Sequence, residues 1–261
     1  MPQNKTIIIT GAARGIGLAT AEKFVKEGWS VALADVLVDT LFAEVERLKK
    51  AGADVEGYEL DVTDFAKAGE VVKAVEARFG KVDALFNDAG IVGHRGNVLN
   101  FDPVEIKKAT DVSVFGALNL IQHVANSIIA HGLKGAIVNV ASVTAERASW
   151  DPLGYQLAKY GVKGVTQAAA FQLGRKGIRV NSVAPGFVKT EMSKIDWSNP
   201  AIKQNIEDGT TLGRILDPSE IANAVYFLVS DEASAITGFN LIVDAGFSTL
   251  KFSNKENIYG E

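Results

Sequence analysis

The chain has no cysteine. Disulfides and thiolate metal sites are therefore excluded, and the absence is compatible with a reducing cytosol. Only three histidines occur, and none shows ligand spacing with another histidine or an acid, so no metal is expected. No run of like charge is long enough to suggest a nucleic-acid arm or an acidic tail. The 27 basic and 31 acidic residues interleave to a net charge of −4, so nucleic acid is disfavoured as a main partner. No stretch approaches the ~20 apolar residues that span a bilayer. The first apolar run, Ile7-Ile8-Ile9, is too short for a secretory core and lacks a small-residue cleavage site. A soluble, cytoplasmic protein without a membrane partner is the expectation. There is also no internal repeat, no low-complexity linker and no sign of a second domain.

What is present is an alternation. At 261 residues and 47% hydrophobic, the chain can bury the core of one α/β domain. A short β-branched run at Lys5 to Thr10 and further stretches at Trp29 to Ala34, Val55 to Leu60, Val82 to Phe86, Ala136 to Ala141, Ile178 to Val183 and Phe239 to Val243 read as strands. Helical patterns run over Leu18 to Glu27, Val38 to Ala51, Asp64 to Phe79, Asp111 to Ala130, Leu153 to Lys176 and Pro218 to Ser230, the last with Asp217 as N-cap and Pro218 at its first position. The alternation predicts a single doubly wound parallel sheet of about seven strands with helices on both faces, a Rossmann-type α/β fold. Residues 251–261 are polar and read as a tail.

Ligands of such sheets bind beyond the carboxyl ends of the strands. The first strand ends in Thr10-Gly11-Ala12-Ala13-Arg14-Gly15-Ile16-Gly17, just before a helix. Glycines let the backbone approach a pyrophosphate, and the helix N-terminus offers free N–H groups and a positive dipole end. The spacing is G-x-x-x-G-x-G rather than G-x-G-x-x-G; a plain strand-to-helix turn is the poorer account of three glycines in seven residues. Asp35 ends the second strand, 18 residues beyond Gly17. A carboxylate about 20 residues on can accept from the adenosine ribose hydroxyls and would repel a 2′-phosphate, which favours NAD over NADP. Arg14 argues the other way, but no second basic residue follows Asp35. Asp35 could also simply cap the next helix. Asp61, before Val62, and Asn87, before Asp88-Ala89-Gly90, also stand at strand ends.

Ser142 closes the fifth strand, and Tyr155-Gln156-Leu157-Ala158-Lys159 opens the following helix. Tyr155 and Lys159, four apart, lie one turn apart on one face. An ammonium near a phenol favours the phenolate and lowers its pKa. A phenol tuned in this way can serve as general acid or base at an alcohol or carbonyl. By itself the pair also fits a solvated helix face.

Taken in order, these residues resemble the short-chain dehydrogenase/reductase family. Thr10-Gly11-x-x-x-Gly15-x-Gly17 is similar to its cofactor loop. Asn87-Asp88-Ala89-Gly90 is similar to its Asn-Asn-Ala-Gly motif with one change. Ser142, Tyr155 and Lys159 match its catalytic serine and Tyr-x-x-x-Lys. Pro185-Gly186, Val188 and Thr190 match the segment that holds the nicotinamide amide. The resemblance implies an enzyme that moves a hydride between a secondary alcohol and the nicotinamide. Tyr155 would be the general base or acid, Lys159 would depress its pKa and hold the nicotinamide ribose, and Ser142 would position the substrate oxygen. Asp61 and Val62 would meet the adenine, and Asn87, Ala89 and Gly90 its other side. One departure is Ser113-Val114-Phe115-Gly116, where many members have an asparagine at the first position that supports a water chain to the lysine. The other is Asp88, from which a local change in hydrogen bonding is expected.

Substrate contacts are expected from His94, near the middle of the loop at 91–101 with Arg95, and from Glu146, Arg147 and Trp150 between Ser142 and Tyr155. His94 and Arg95 fit a solvated loop equally well. Trp197 belongs to a lid or packs beneath one. Gly161, Gly164 and Ala168 recur on one helix face and point to close approach, either onto the sheet or between subunits; the resemblance favours a homodimer or homotetramer. The resulting expectation is an NAD-dependent dehydrogenase for a polyol, sugar or cyclic alcohol. The rivals are a carbonyl or 3-oxoacyl reductase and, from another class, a non-catalytic NAD-binding sensor supported only by Ser113.

Overall fold

The apolar run before the glycine turn is buried along its whole length in the computed structural model, which describes residues 5–93, 96–147 and 151–249. This run is β1 (Thr6–Thr10). Burial on both faces explains why it reads as continuous β-branched residues rather than an alternation. The other strands are β2 (Ser30–Asp35), β3 (Val55–Glu59), β4 (Ala84–Asn87), β5 (Gly135–Val140), β6 (Ile178–Pro185) and β7 (Asn240–Val243). They form one sheet in the order β3-β2-β1-β4-β5-β6-β7, and every pairing is parallel. The order reverses between β1 and β4, and that switch point is where a ligand crevice opens.

Helices α1 (Gly15–Lys26), α2 (Val38–Lys50) and α9 (Pro218–Val229) pack on one face; α3 (Phe65–Phe79), α5 (Gly116–Ala130) and α6 (Leu153–Leu173) pack on the other. Ile7 and Ile9 face the first set and Ile8 the second, as the two-residue period requires. Local signals set several ends. The Asp64 carboxylate accepts the Lys67 N–H to start α3, and Gly80 at φ 86° ends it. The N–H of Asp217 donates to Glu220 Oε2 at 2.9 Å at the start of α9.

Two regions differ from the sequence expectation. The helix predicted to begin at Asp111 has a preceding partner, α4 (Pro103–Thr110), capped by the Asp102 carboxylate on the Val104 N–H. The two are joined by a wide π-helical turn over Asp111–Phe115. The stretch after Phe187, without clear pattern in sequence, forms α7 (Lys194–Ser198) and α8 (Pro200–Asp208). The continuous run Pro103–Ala130 is long and apolar enough to cross a membrane by length and composition alone, which corrects the expectation that no stretch qualifies. Half of its apolar window is buried, with α4 against α6 and α5 against α3, so this run is core of the fold.

Candidate active site

The glycine loop is built by close approach. Gly11 and Gly15 have φ of +66° and +63°, which side-chain-bearing residues rarely adopt. A Cβ on Gly17 would stand 2.2 Å from the Gly11 carbonyl oxygen, so the first turn of α1 can lie on the loop only with glycine there. Arg14, exposed, precedes α1 with extended backbone and gives no side-chain cap, so the first N–H groups of the helix, including that of Ile16, remain available to an anion. The residues present thus fit a dinucleotide phosphate.

Several of the other predicted cofactor residues touch this loop. Asp35 is buried at the end of β2; its Oδ2 accepts the Ala13 N–H at 2.9 Å and its Oδ1 the Leu37 N–H at 3.0 Å. It therefore holds the loop as well as ending the strand, and the residue directly before α2 is Leu37. Thr10 Oγ1 accepts the N–H groups of Asp88 and Ala89, each at 3.2 Å, tying β1 to the turn after β4. A Cβ on Gly15 would meet the Thr190 methyl at 3.5 Å, which brings the segment after Pro185-Gly186 over the loop. Val188, buried in that segment, bridges to Leu216. Trp197 donates its indole N–H to the Thr190 carbonyl at 3.0 Å and so is tied to that segment. Val62 is buried against Gly116; Asp61 is exposed, with its carboxylate on the N–H and hydroxyl of Thr63.

Asn87 begins a polar chain through the core that the sequence did not reveal. Its Nδ2 donates to Asn139 Oδ1 at 2.9 Å, and Asn139 Nδ2 donates to Thr166 Oγ1 at 3.0 Å. The chain links β4, β5 and α6, the three elements that carry Asn87, Ser142 and Tyr155.

The predicted catalytic set does meet. Ser142, at the end of β5, hydrogen-bonds the Tyr155 phenol and also accepts the Thr144 N–H at 3.1 Å. Lys159, 5% exposed, donates to the Val140 carbonyl at 2.8 Å, and its Nζ lies 5.4 Å from the Tyr155 ring centre. Ser113 sits in the π-helical turn, buried, and its hydroxyl has no partner among the described residues. A Cβ on Gly90 would lie 3.5 Å from Ser113 Oγ and 3.6 Å from Lys159 Nζ, so the missing side chain of Gly90 leaves both polar groups facing one gap.

The electrostatics correct one expectation. Burial is the largest influence on Tyr155 and pushes the phenol up to about 12; Asp151 and Asp88 also raise it, while the Ser142 hydrogen bond lowers it. Lys159 does not hold it down: burial lowers the ammonium itself to about 8, against the attraction of Asp88. Desolvation is thus the largest influence on both groups.

Two expected substrate residues are engaged elsewhere. Glu146 accepts from Lys163 Nζ at 2.7 Å and from Asn240 Nδ2 at 2.6 Å. The Arg147 guanidinium lies 4.4 Å from the Phe247 ring centre and donates to the Phe247 carbonyl at 3.2 Å. Both fasten the loop after Ser142 to the C-terminal strand and turn. His94 and Trp150 lie outside the described residues, as does the predicted tail. Among the described residues, no cluster of histidines and acids could hold a metal ion.

Comparison with known proteins agrees with this geometry. A family model described as enoyl-(acyl carrier protein) reductase matches residues 11–248. The chain is 35% identical over 254 residues to the (S)-acetoin-forming diacetyl reductase of Staphylococcus epidermidis, covering 93% of this chain and 98% of the relative. It is 35% identical to a 3α-hydroxysteroid dehydrogenase of Mediterraneibacter gnavus, covering 94% and 97%. A gluconate 5-dehydrogenase from Burkholderia cenocepacia, solved with NADP and tartrate, superimposes with a TM-score of 0.89 at 29% identity, over 94% of this chain and 96% of that one. The chain belongs to the short-chain dehydrogenase/reductase family and is an oxidoreductase acting on CH–OH groups with a nicotinamide cofactor.

Proposed function

We propose that the protein uses NAD(H) to interconvert a small secondary alcohol and its ketone, with a polyol, sugar or cyclic alcohol as the alcohol. The observation that carries the cofactor preference is the buried Asp35 carboxylate, fixed by two main-chain N–H groups behind the glycine loop. Each oxygen keeps a lone pair for a ribose hydroxyl, and its charge opposes a 2′-phosphate. Exposed Arg14 is the only cation in the loop itself.

In this reading the bound nicotinamide supplies or accepts the hydride. Tyr155 exchanges the proton at the substrate oxygen, Ser142 orients that oxygen, and Lys159 binds the nicotinamide ribose. Gly11, Gly15, Ile16 and Gly17 take the pyrophosphate; Asp61, Val62, Asn87, Ala89 and Gly90 flank the adenine; Pro185, Gly186, Val188 and Thr190 take the nicotinamide amide. In the reductive direction the protonated Tyr155 phenol gives its proton to the ketone oxygen. The diacetyl reductase relative is consistent with that direction.

Assays with NAD and NADP over secondary alcohols and polyols, and with NADH and NADPH over the matching ketones and diketones, test the reading. Turnover with NAD(H) that is lost in Tyr155→Phe is expected. A higher kcat/KM with NADP(H) refutes the role given to Asp35. Tight dinucleotide binding without turnover in either direction turns the reading to a sensor.

We also propose a homodimer or homotetramer. Leu157, Tyr160 and Phe171 on α6 and Phe115 and Leu118 beside it are exposed, and Gly164 opens onto free space. Gly161, by contrast, is accounted for within the chain, since a Cβ there would stand 2.7 Å from Val114 Cγ2. A monomer mass by light scattering at micromolar concentration counts against this assembly.

A further inference from the structure

One stripe of α5 grips the turn between β3 and α3. Gly116, Asn119 and His123, spaced by three and then four residues, lie on one face of that helix. At Gly116 a Cβ would stand 2.5 Å from Val62 Cγ2, so Val62 seats on the helix only because glycine is there. One turn on, Asn119 Nδ2 donates to the Val62 carbonyl at 2.9 Å and reaches the Thr63 carbonyl at 3.5 Å. After a further turn, His123 Nε2 donates to the Phe65 carbonyl at 3.0 Å, and its ring centre lies 4.5 Å from that of Phe65. A Cβ on Gly69 would stand 2.8 Å from His123 Cε1, so the imidazole lies directly against α3. The start of the turn is tied to the cofactor side: the Leu60 N–H donates to the Asp35 carbonyl at 3.1 Å, which sets the turn beside the end of β2.

We propose that Asn119 is a positioning residue for the adenine end of the cofactor site: by holding the Val62 main chain, it keeps the wall that meets the adenine in place before the dinucleotide arrives. His123 does the same for the far side of the turn at Phe65. Asp61, Thr63, Asp64 and Phe65 are exposed, so packing anchors the turn chiefly at buried Val62, and the two α5 side chains supply polar fastenings around it. A turn fixed in advance spares the ligand the entropy of ordering it. Neither side chain belongs to the glycine loop or to the catalytic set, so their effect is confined to the adenine end. The inference rests on the reading that Val62 flanks the adenine.

Fluorescence titration of the full chain with NADH and, separately, NADPH, followed by displacement with AMP, tests it. In Asn119→Leu the affinities for AMP and for the dinucleotide that binds are expected to fall together, about tenfold. The emission maximum of the bound reduced nicotinamide should stay where it is in wild type. His123→Ala, which loosens the turn farther from Val62, should show the same pattern at about threefold, and it carries the test if Asn119→Leu does not fold. Hydrogen exchange at residues 62–65 without ligand, read by mass spectrometry, should be faster in both variants. Unchanged AMP affinity, unchanged exchange, or a dinucleotide loss that comes with a shifted nicotinamide emission overturns the proposal. AMP that does not displace the dinucleotide from wild type removes the adenine role of Val62, and the inference with it. Failure of both dinucleotides to bind wild type strikes down the cofactor reading itself.

Discussion

Replacing Asn139 with alanine is expected to destabilise the protein by about 3 kcal/mol. Asn139 is fully buried and spans the gap between Asn87 and Thr166. The substitution removes two hydrogen bonds, each worth ~1 kcal/mol net. It also leaves Asn87 Nδ2 with only the 3.4 Å contact to the Ala117 carbonyl, while Asn87 Oδ1 already has no partner among the described residues. An under-satisfied buried donor costs a further ~1–3 kcal/mol. Urea unfolding at fixed protein concentration reads the loss. With a slope of ~3 kcal/mol per molar, the midpoint should fall by roughly 1 M. Thr166→Val supplies the cross-check: Thr166 Oγ1 donates to the Val162 carbonyl at 2.8 Å, a bond that Asn139→Ala leaves intact. The two substitutions should therefore be sub-additive by about 1 kcal/mol, the value of the shared bond. A loss below ~1 kcal/mol for Asn139→Ala, or strict additivity, would refute the claim that one connected chain ties β4, β5 and α6 together.

Gly17→Ala should weaken dinucleotide binding at least tenfold by nucleotide-fluorescence titration, because its Cβ would stand 2.2 Å from the Gly11 carbonyl oxygen; unchanged affinity would sink the close-approach argument. Asp88→Asn should change the pH dependence of stability. The folded-state carboxyl is raised to about 7 from an ordinary 3.8, so the native state binds the extra proton and wild type loses stability as pH rises between those values. The urea midpoint of wild type relative to the variant should therefore fall from pH 4 to pH 7, and parallel curves would contradict the raised carboxyl. Ser113→Asn tests the gap beside Gly90, where an amide would have Lys159 Nζ within reach. A large gain in kcat with little change in KM would show that Ser113 limits proton exchange, and no gain would show that it does not.

Much of this architecture was legible in the chain. The seven stretches read as strands became the seven strands, with ends displaced by a residue or two; the central ones, buried on both faces, leave a nearly uninterrupted apolar signal, whereas the edge strands β3 and β7 are partly exposed. Gly11, Gly15 and Gly17 were legible because side-chain-bearing residues rarely adopt the backbone of the first two and a Cβ on the third would collide with the loop. Tyr155 and Lys159 were legible because helical spacing is local. The turn at Ser113 was not, since an apolar run from Asp111 to Ala130 has one helical period and does not show where the ladder widens. Neither were the partners of Glu146 and Arg147, which lie 94 and 100 residues away in the chain.

The sequence by itself therefore determined the sheet, the phosphate loop and the order of the catalytic residues, all of which rest on local periodicity and backbone permissiveness. Only the tertiary structure decided the charges. Whether Tyr155, Lys159 and Asp88 hold their protons at neutral pH depends on how much water the packed strands and helices exclude. It also depends on which carboxylate folding brings beside which ammonium, and neither is written in the neighbourhood of any one residue.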